Sequence, residues 1–151
     1  AEDYLAKINE LNKSQKPKIV VVSLDSDFSR ETVEYSVNLA ERMNFDILAV
    51  NAIQPEKKGN ELEKEIKDDP KGTFNRLFGP FLQKAKDYRI RCEAIITINN
   101  FRSQIKHLLM KLRHVELVLV QVANGQELSL SLDVPVFQIE TGRALPSPPM
   151  W

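Results

Sequence analysis

Residues Lys18–Ile53 constrain this chain more than any other stretch, because they spell one complete strand–helix–strand unit, KIVVVSLDSDFSRETVEYSVNLAERMNFDILAVNAI. Ile19–Leu24 is a continuous apolar run rich in β-branched residues. A strand with one wet face would alternate, so a continuous run belongs to a parallel strand buried on both faces. It stops at Asp25-Ser26-Asp27, a polar break where the chain leaves the carboxyl end of the strand. Ser29 is the candidate N-cap of the following helix, with Glu31 adding negative charge in its first turn. Val33, Val37 and Ala40, joined by Ser36 and Leu39, recur at helical spacing. Asn44, a residue type that tolerates the left-handed cap conformation, is expected to close the helix. Ile47–Ile53 is the second strand. Such a unit is right-handed and buries its helix on the sheet.

The remaining segments extend that unit. Residues 1–16 carry a short amphipathic pattern, Tyr4, Leu5, Ile8 and Leu11, followed by a polar run, and are read as a helix or arm with a linker. Pro17 suits a strand entry, where a missing amide donor does least harm. Gln54–Gly72 is highly charged and reads as an exposed loop with one helical turn or more. Thr73 is a candidate cap for an amphipathic helix whose stripe is Phe74, Leu77, Phe78, Phe81, Leu82, Ala85 and Tyr88. Gly79-Pro80 sits inside that stripe, and because the stripe continues in phase a kink is expected rather than a break. Cys92–Ile98 is a third strand, ended by Asn99-Asn100. Asn100 can cap the next helix, with Ile105, Leu108, Leu109 and Leu112 as its apolar face. Val115–Val122 and Pro135–Glu140 are the fourth and fifth strands.

Strands alternating with helices at this spacing predict an open, mostly parallel five-stranded α/β sheet with helices on both faces. Only Ala123–Val134 connect strands four and five, close to the minimum for a parallel crossover. Asn124-Gly125 is a hairpin-turn pair, and Glu127–Leu132 alternates leucine with polar residues. Two outcomes stay open, a stunted crossover helix of about two turns or an antiparallel return, with the stunted crossover preferred. The domain organisation expected is an arm and linker at 1–16, one α/β domain at 17–141 and a loose tail at 142–151.

Composition excludes several function classes. The 151 residues are enough for one domain with a real core. Lys plus Arg equals Asp plus Glu at 21 each, so no global field favours nucleic acid or an anionic membrane. No apolar run approaches the ~20 residues of a membrane helix, and the amino terminus lacks the basic and apolar regions of a signal peptide. The single cysteine, Cys92, cannot form an internal disulfide, and a reducing, cytoplasmic setting is expected. An initial Ala and the terminal ALPSPPMW fit a processed chain or a piece of a larger one.

Candidate chemistry is sparse. Asp25, Ser26 and Asp27 at a strand end can grip a ribose or a cation, or simply cap and shape the turn, which is the commoner use of such residues. His107 and His114 lie seven apart, whereas zinc needs three or four converging ligands, so no metal is expected. There is no Gly-x-Ser-x-Gly, and neither histidine has an assigned partner, so no enzyme activity is expected. Lys106, Lys111 and Arg113 near a helix end are explained by dipole complementarity, and a nucleic-acid site would need an aromatic platform alongside them. Val134, Val136, Phe137 and Ile139 form an apolar last strand expected at the sheet edge, which is a template for pairing with another strand.

The run IVVVSLDSD followed by VEYSVNLAERMNFDILAVNAI, with CEAIITINNFRSQIKHLL and VELVLVQV further on, resembles the universal stress protein family over residues 18–140. The resemblance implies a universal-stress-protein-like, adenine nucleotide alpha hydrolase-like fold. It also implies a homodimer through antiparallel addition of the last strand, and domains often fused to transporters, antiporters or kinases. In family members that bind ATP, the counterpart of Asp25 lies by the adenosine. A loop after strand four, Gly-x-x-Gly then Gly-Ser or Gly-Thr, holds the phosphates, where backbone amides and a helix N-terminus meet them. Here Gln121 and Asn124 stand at the first two glycine positions, Gly125 lies nearby, and no Gly-Ser or Gly-Thr pair follows. The expectation is therefore a non-catalytic regulatory or interaction domain with no cofactor. The alternative is a stress protein that reads AMP, adenosine or ATP through Asp25, Ser26, Asn124 and Gly125 at a modified site.

Overall fold

Lys18–Leu24 form strand β1, buried at all seven positions, and everything else is arranged around it. The computed structural model describes residues 2–54, 61–98, 100–123 and 130–141. Four more strands join β1: β2 (Asp46–Ile53), β3 (Cys92–Ile98), β4 (Val115–Ala123) and β5 (Val136–Thr141). Their order across the sheet is β3-β2-β1-β4-β5, and every neighbouring pair is parallel. Val21 at the centre lies opposite Ala49 on one side and Leu119 on the other.

Among the described residues, five helices cover the two faces: α1 (Glu2–Asn12), α2 (Arg30–Met43), α3 (Glu61–Asp68), α4 (Pro70–Asp87) and α5 (Phe101–Lys111). The period of two along β1 splits its side chains between two cores. Val20 and Val22 pack with Ile8 and Leu11 of α1 and Ile105 and Leu108 of α5. Ile19 and Val21 pack with Val33, Val37 and Ala40 of α2 and Leu77, Phe78 and Phe81 of α4. Strands buried on both faces explain the continuous apolar runs in the sequence.

Helix ends follow the expected chemistry in α2 and α5. Ser29 Oγ accepts from the Thr32 amide at 3.1 Å, and Asn44 closes α2 in the left-handed conformation, φ 59° and ψ 48°. Asn100 Oδ1 accepts from the Ser103 amide at 3.1 Å. The start of α4 corrects the expectation of a Thr73 cap. Asp69 is the cap, its carboxylate accepting from the Gly72 amide at 3.1 Å, and Pro70 stands in the first turn, where its missing N–H costs nothing. Thr73 lies within the helix and its hydroxyl donates to the Glu65 carbonyl. Helix α4 continues through Pro80 without a break.

Helix α1 lies against β3 and is tied to the end of α5. Asn12 Nδ2 donates to the Lys111 carbonyl and Asn12 Oδ1 accepts from the Arg113 amide, both at 2.9 Å. Lys7 crosses the outer edge of β3, its ammonium donating to the Ala94 carbonyl at 2.6 Å and lying 4.3 Å from the Phe74 ring centroid.

Parallel pairing of β5 with β4, Val118 opposite Val136 and Gln121 opposite Ile139, decides between the two connections in favour of a crossover. Residues 130–135 of that crossover are not helical; residues 124–129, where a stunted helix would begin, lie outside the described residues. Val134 stands in a bend before β5 rather than in the strand itself. The tail, 142–151, also lies outside the described residues. Among the described residues no helix is long and apolar enough to cross a membrane.

Candidate functional site

The chain leaves β1 toward β2 and leaves β4 toward β5, in opposite directions across the sheet. That divergence opens a crevice between the carboxyl ends of β1 and β4, the place where open α/β sheets put ligands. The side chain of Gln121, on β4, fills it. Gln121 is 3% exposed. Its Oε1 accepts from the Ser29 amide at 2.7 Å. Its Nε2 donates to Ser23 Oγ at 3.0 Å and to the Asp27 carbonyl at 2.8 Å, with Ser26 Oγ at 3.4 Å. An amide N–H can only donate and a carbonyl can only accept, so Ser29 and Asp27 together fix which end of the Gln121 amide faces which way.

The same bonds occupy the entrance to α2. Helix N-termini present unpaired amides that suit anions. Here the Ser29 amide is taken by Gln121 and the Thr32 amide by Ser29 Oγ. The turn is closed further by the Ser26 carbonyl, which accepts from Ser23 Oγ at 2.7 Å and from Asn51 Nδ2 at 2.8 Å.

Asp25 adopts the left-handed conformation, φ 52°, which turns the chain sharply out of β1. Its amide donates to the Ala52 carbonyl at 3.0 Å. Its carboxylate accepts from the Gln54 amide at 2.9 Å, with Gln54 Nε2 at 3.5 Å from the other oxygen. The carboxylate therefore braces the exit of β2. Asp27 turns outward and takes both oxygens to one nitrogen of Arg76, at 2.6 and 2.8 Å, while the other terminal nitrogen of Arg76 pairs with Glu65. Arg76 thereby joins the β1–α2 turn to α3 and α4. Nothing local in the sequence links Arg76 to an aspartate 49 positions away.

The predicted site residues separate into three groups. Asp25 and Ser26 meet at the end of β1, engaged with Gln54, Ser23 and Asn51. Asn124 and Gly125 lie outside the described residues. Val136, Phe137 and Ile139 lie on β5, the edge strand, where Phe137 is 55% exposed. Val136 leans toward the core under α1 and α5, and Ile139 toward the core under α2 and α4.

The other reactive side chains are dispersed. His107 stacks on Tyr4 with ring centroids 6.4 Å apart, and His114 occupies the left-handed turn after α5, φ 59°. Among the described residues no three His, Cys, Asp or Glu side chains converge as a metal site. Cys92 opens β3, and burial, aided by the nearby charge of Glu93, pushes its thiol well above the ordinary range.

No family model matches the sequence, and no curated protein matches it. Solved structures do. A universal stress protein in complex with cAMP superposes with a TM-score of 0.54 at 15% identity, covering 84% of this chain and 99% of its own. A universal stress protein from Archaeoglobus fulgidus gives 0.53 at 8% identity, with 81% and 93% covered. A member of the family from Burkholderia pseudomallei gives 0.52 at 9%, with 83% and 98% covered. At these identities the likeness is one of fold. This chain resembles the universal stress proteins and has their fold.

Proposed function

We propose that the chain is a non-catalytic regulatory or interaction domain on the universal stress protein fold, one that does not hold ATP in the manner of the nucleotide-binding members. The observation that carries this reading is Gln121. A buried amide with a bond to Ser29, Ser23 and Asp27 stands in the crevice, and a nucleotide entering it must break those bonds. Leaving such groups unpaired costs ~1–3 kcal/mol each. Asp25, the residue the resemblance places beside the adenosine, spends its carboxylate on Gln54.

Self-association through β5 is part of the proposal. β5 is an edge strand, its outer backbone groups face away from β4, and Phe137 stands exposed beside them. We place the domain in the cytoplasm, or on the cytoplasmic side of a membrane protein of which it is a soluble part.

Calorimetric titration with ATP, ADP, AMP and cAMP, with and without magnesium, tests the reading. Absence of heat and of thermal stabilisation for all four is the expected result. The alternative, a stress protein with a modified nucleotide site, draws support from the structural neighbour solved with cAMP. Micromolar binding that is lost in Asp25→Ala would put that alternative first.

A further inference from the structure

Helices α1 and α5 share one core on the same face of the sheet, and both touch the edge strand β3. Near the start of α1 the ring of Tyr4 stacks on His107 of α5, with centroids 6.4 Å apart. Side chains alternate along a strand, so Thr97, two residues after the core residue Ile95, belongs to this face as well. Where α1, α5 and the end of β3 meet, a cavity of 450 Å³ is left. That volume lies within the ~300–1,000 Å³ of small-molecule pockets.

Two residues in its wall carry unpaired hydroxyls. Thr97 is 5% exposed, and both its Oγ1 and the Tyr4 hydroxyl are buried with no hydrogen-bond partner among the described residues. Buried polar groups in folded proteins are nearly always paired, so each exception calls for an explanation. Two such hydroxyls on residues of one cavity wall have a common explanation, a ligand that accepts from both. Burial pushes the Tyr4 phenol up, so it keeps its proton and remains a donor.

The rest of the wall divides by chemistry. His107 and Lys111, four apart, share one side of α5, where Lys111 brings a full positive charge and His107 a ring N–H. No carboxylate is among the lining residues, and Lys111 makes no ion pair with a described residue. Leu5, Ile96 and Ile98 supply the apolar side.

We infer that this cavity binds a small monocarboxylate with an apolar body. Its oxygens accept from Thr97, Tyr4 and Lys111, and its hydrocarbon part lies on Leu5, Ile96 and Ile98. One cation among neutral donors matches a single negative charge, whereas a phosphate dianion would be left short of positive partners. Because Tyr4 and Leu5 belong to α1, the bound acid also fastens that helix to the sheet. The cavity lies at the β3 edge, away from Gln121 on β4 and from β5, so the inference is independent of the proposal above.

The test titrates the intact chain with sodium hexanoate and sodium phenylacetate, with hexanamide as the neutral counterpart and inorganic phosphate as the competing anion. Methyl and ¹⁵N NMR locate the contact. The expected result is saturable shifts at Leu5, Ile96, Thr97 and Ile98 for at least one acid, with Kd at or below ~1 mM and the amide about tenfold weaker. Thr97→Val and Lys111→Gln each weaken the acid several-fold. Lys111 is exposed, so its replacement leaves folding undisturbed. Thr97→Val removes an unpaired hydroxyl, so the ligand-free variant unfolds at the same urea concentration as the parent or a higher one. No saturable shift by ~10 mM, equal binding of hexanamide, preference for phosphate, or acid binding indifferent to either variant overturns the inference. Loss of stability in ligand-free Thr97→Val overturns it too, because the hydroxyl is then already paired through buried water.

Discussion

Gln121 is joined to Ser23, Asp27 and Ser29 by side-chain bonds that reach 92 to 98 positions along the chain. Its removal is felt in the β1–α2 turn as much as in β4. Gln121→Leu keeps the volume but strands the Ser29 amide and the Asp27 carbonyl, and a loss of about 2–3 kcal/mol in urea denaturation is expected. Cys92 provides a second residue-level expectation. Its folded thiol holds its proton above the ordinary value of 9.0. The contribution to stability is complete below pH 9 and is lost as pH rises, because the unfolded thiol ionises while the folded one does not. The slope from this one group is at most about 1.4 kcal/mol per pH unit. Stability measured above pH 9 should therefore fall less steeply in Cys92→Ala than in the parent chain, whatever packing the substitution costs at all pH values.

Elements differ in how readily the sequence reveals them. The β1–α2–β2 unit was legible to its caps, because continuous apolar runs, helical periodicity, Ser29 and Asn44 all point one way. The start of α4 was not. Asp69-Pro70 is a cap followed by a first-turn proline, but inside a run of charges it reads as loop until α3 is seen to precede it. The packing of α1 is likewise invisible locally, since the partners of Asn12 lie about a hundred positions away. Leu11 is fully buried under α1, and Leu11→Ala is expected to cost about 3 kcal/mol with the helix undocked in part. Asp69→Ala, which removes only a cap, should cost about 1 kcal/mol by the same denaturation measurement. At the candidate site, Asp25 and Ser26 were placed correctly at the strand end from the polar break alone. That Asp25 would turn to Gln54 was not legible, because it depends on where β2 ends beside β1.

The whole molecule is a sheet with two unequal edges. At the β3 edge Lys7 reaches across from α1 to the Ala94 carbonyl. At the β5 edge Phe137 stands exposed, and self-association is expected there. Analytical ultracentrifugation at high micromolar concentration should show a dimer that Phe137→Lys shifts toward monomer without unfolding it; a folded monomer for the parent chain would remove the dimer from the account. Whether Gln121 holds the crevice against nucleotide is read most directly by ¹⁵N NMR of the folded chain titrated with magnesium ATP to millimolar concentration. The side-chain amide of Gln121 and the backbone amides of Ser29 and Gln54 are the reporters. Signals that stay in place throughout are the predicted result. Saturable shifts of these three groups at sub-millimolar ATP would contradict a filled crevice and show that the amide gives way to nucleotide.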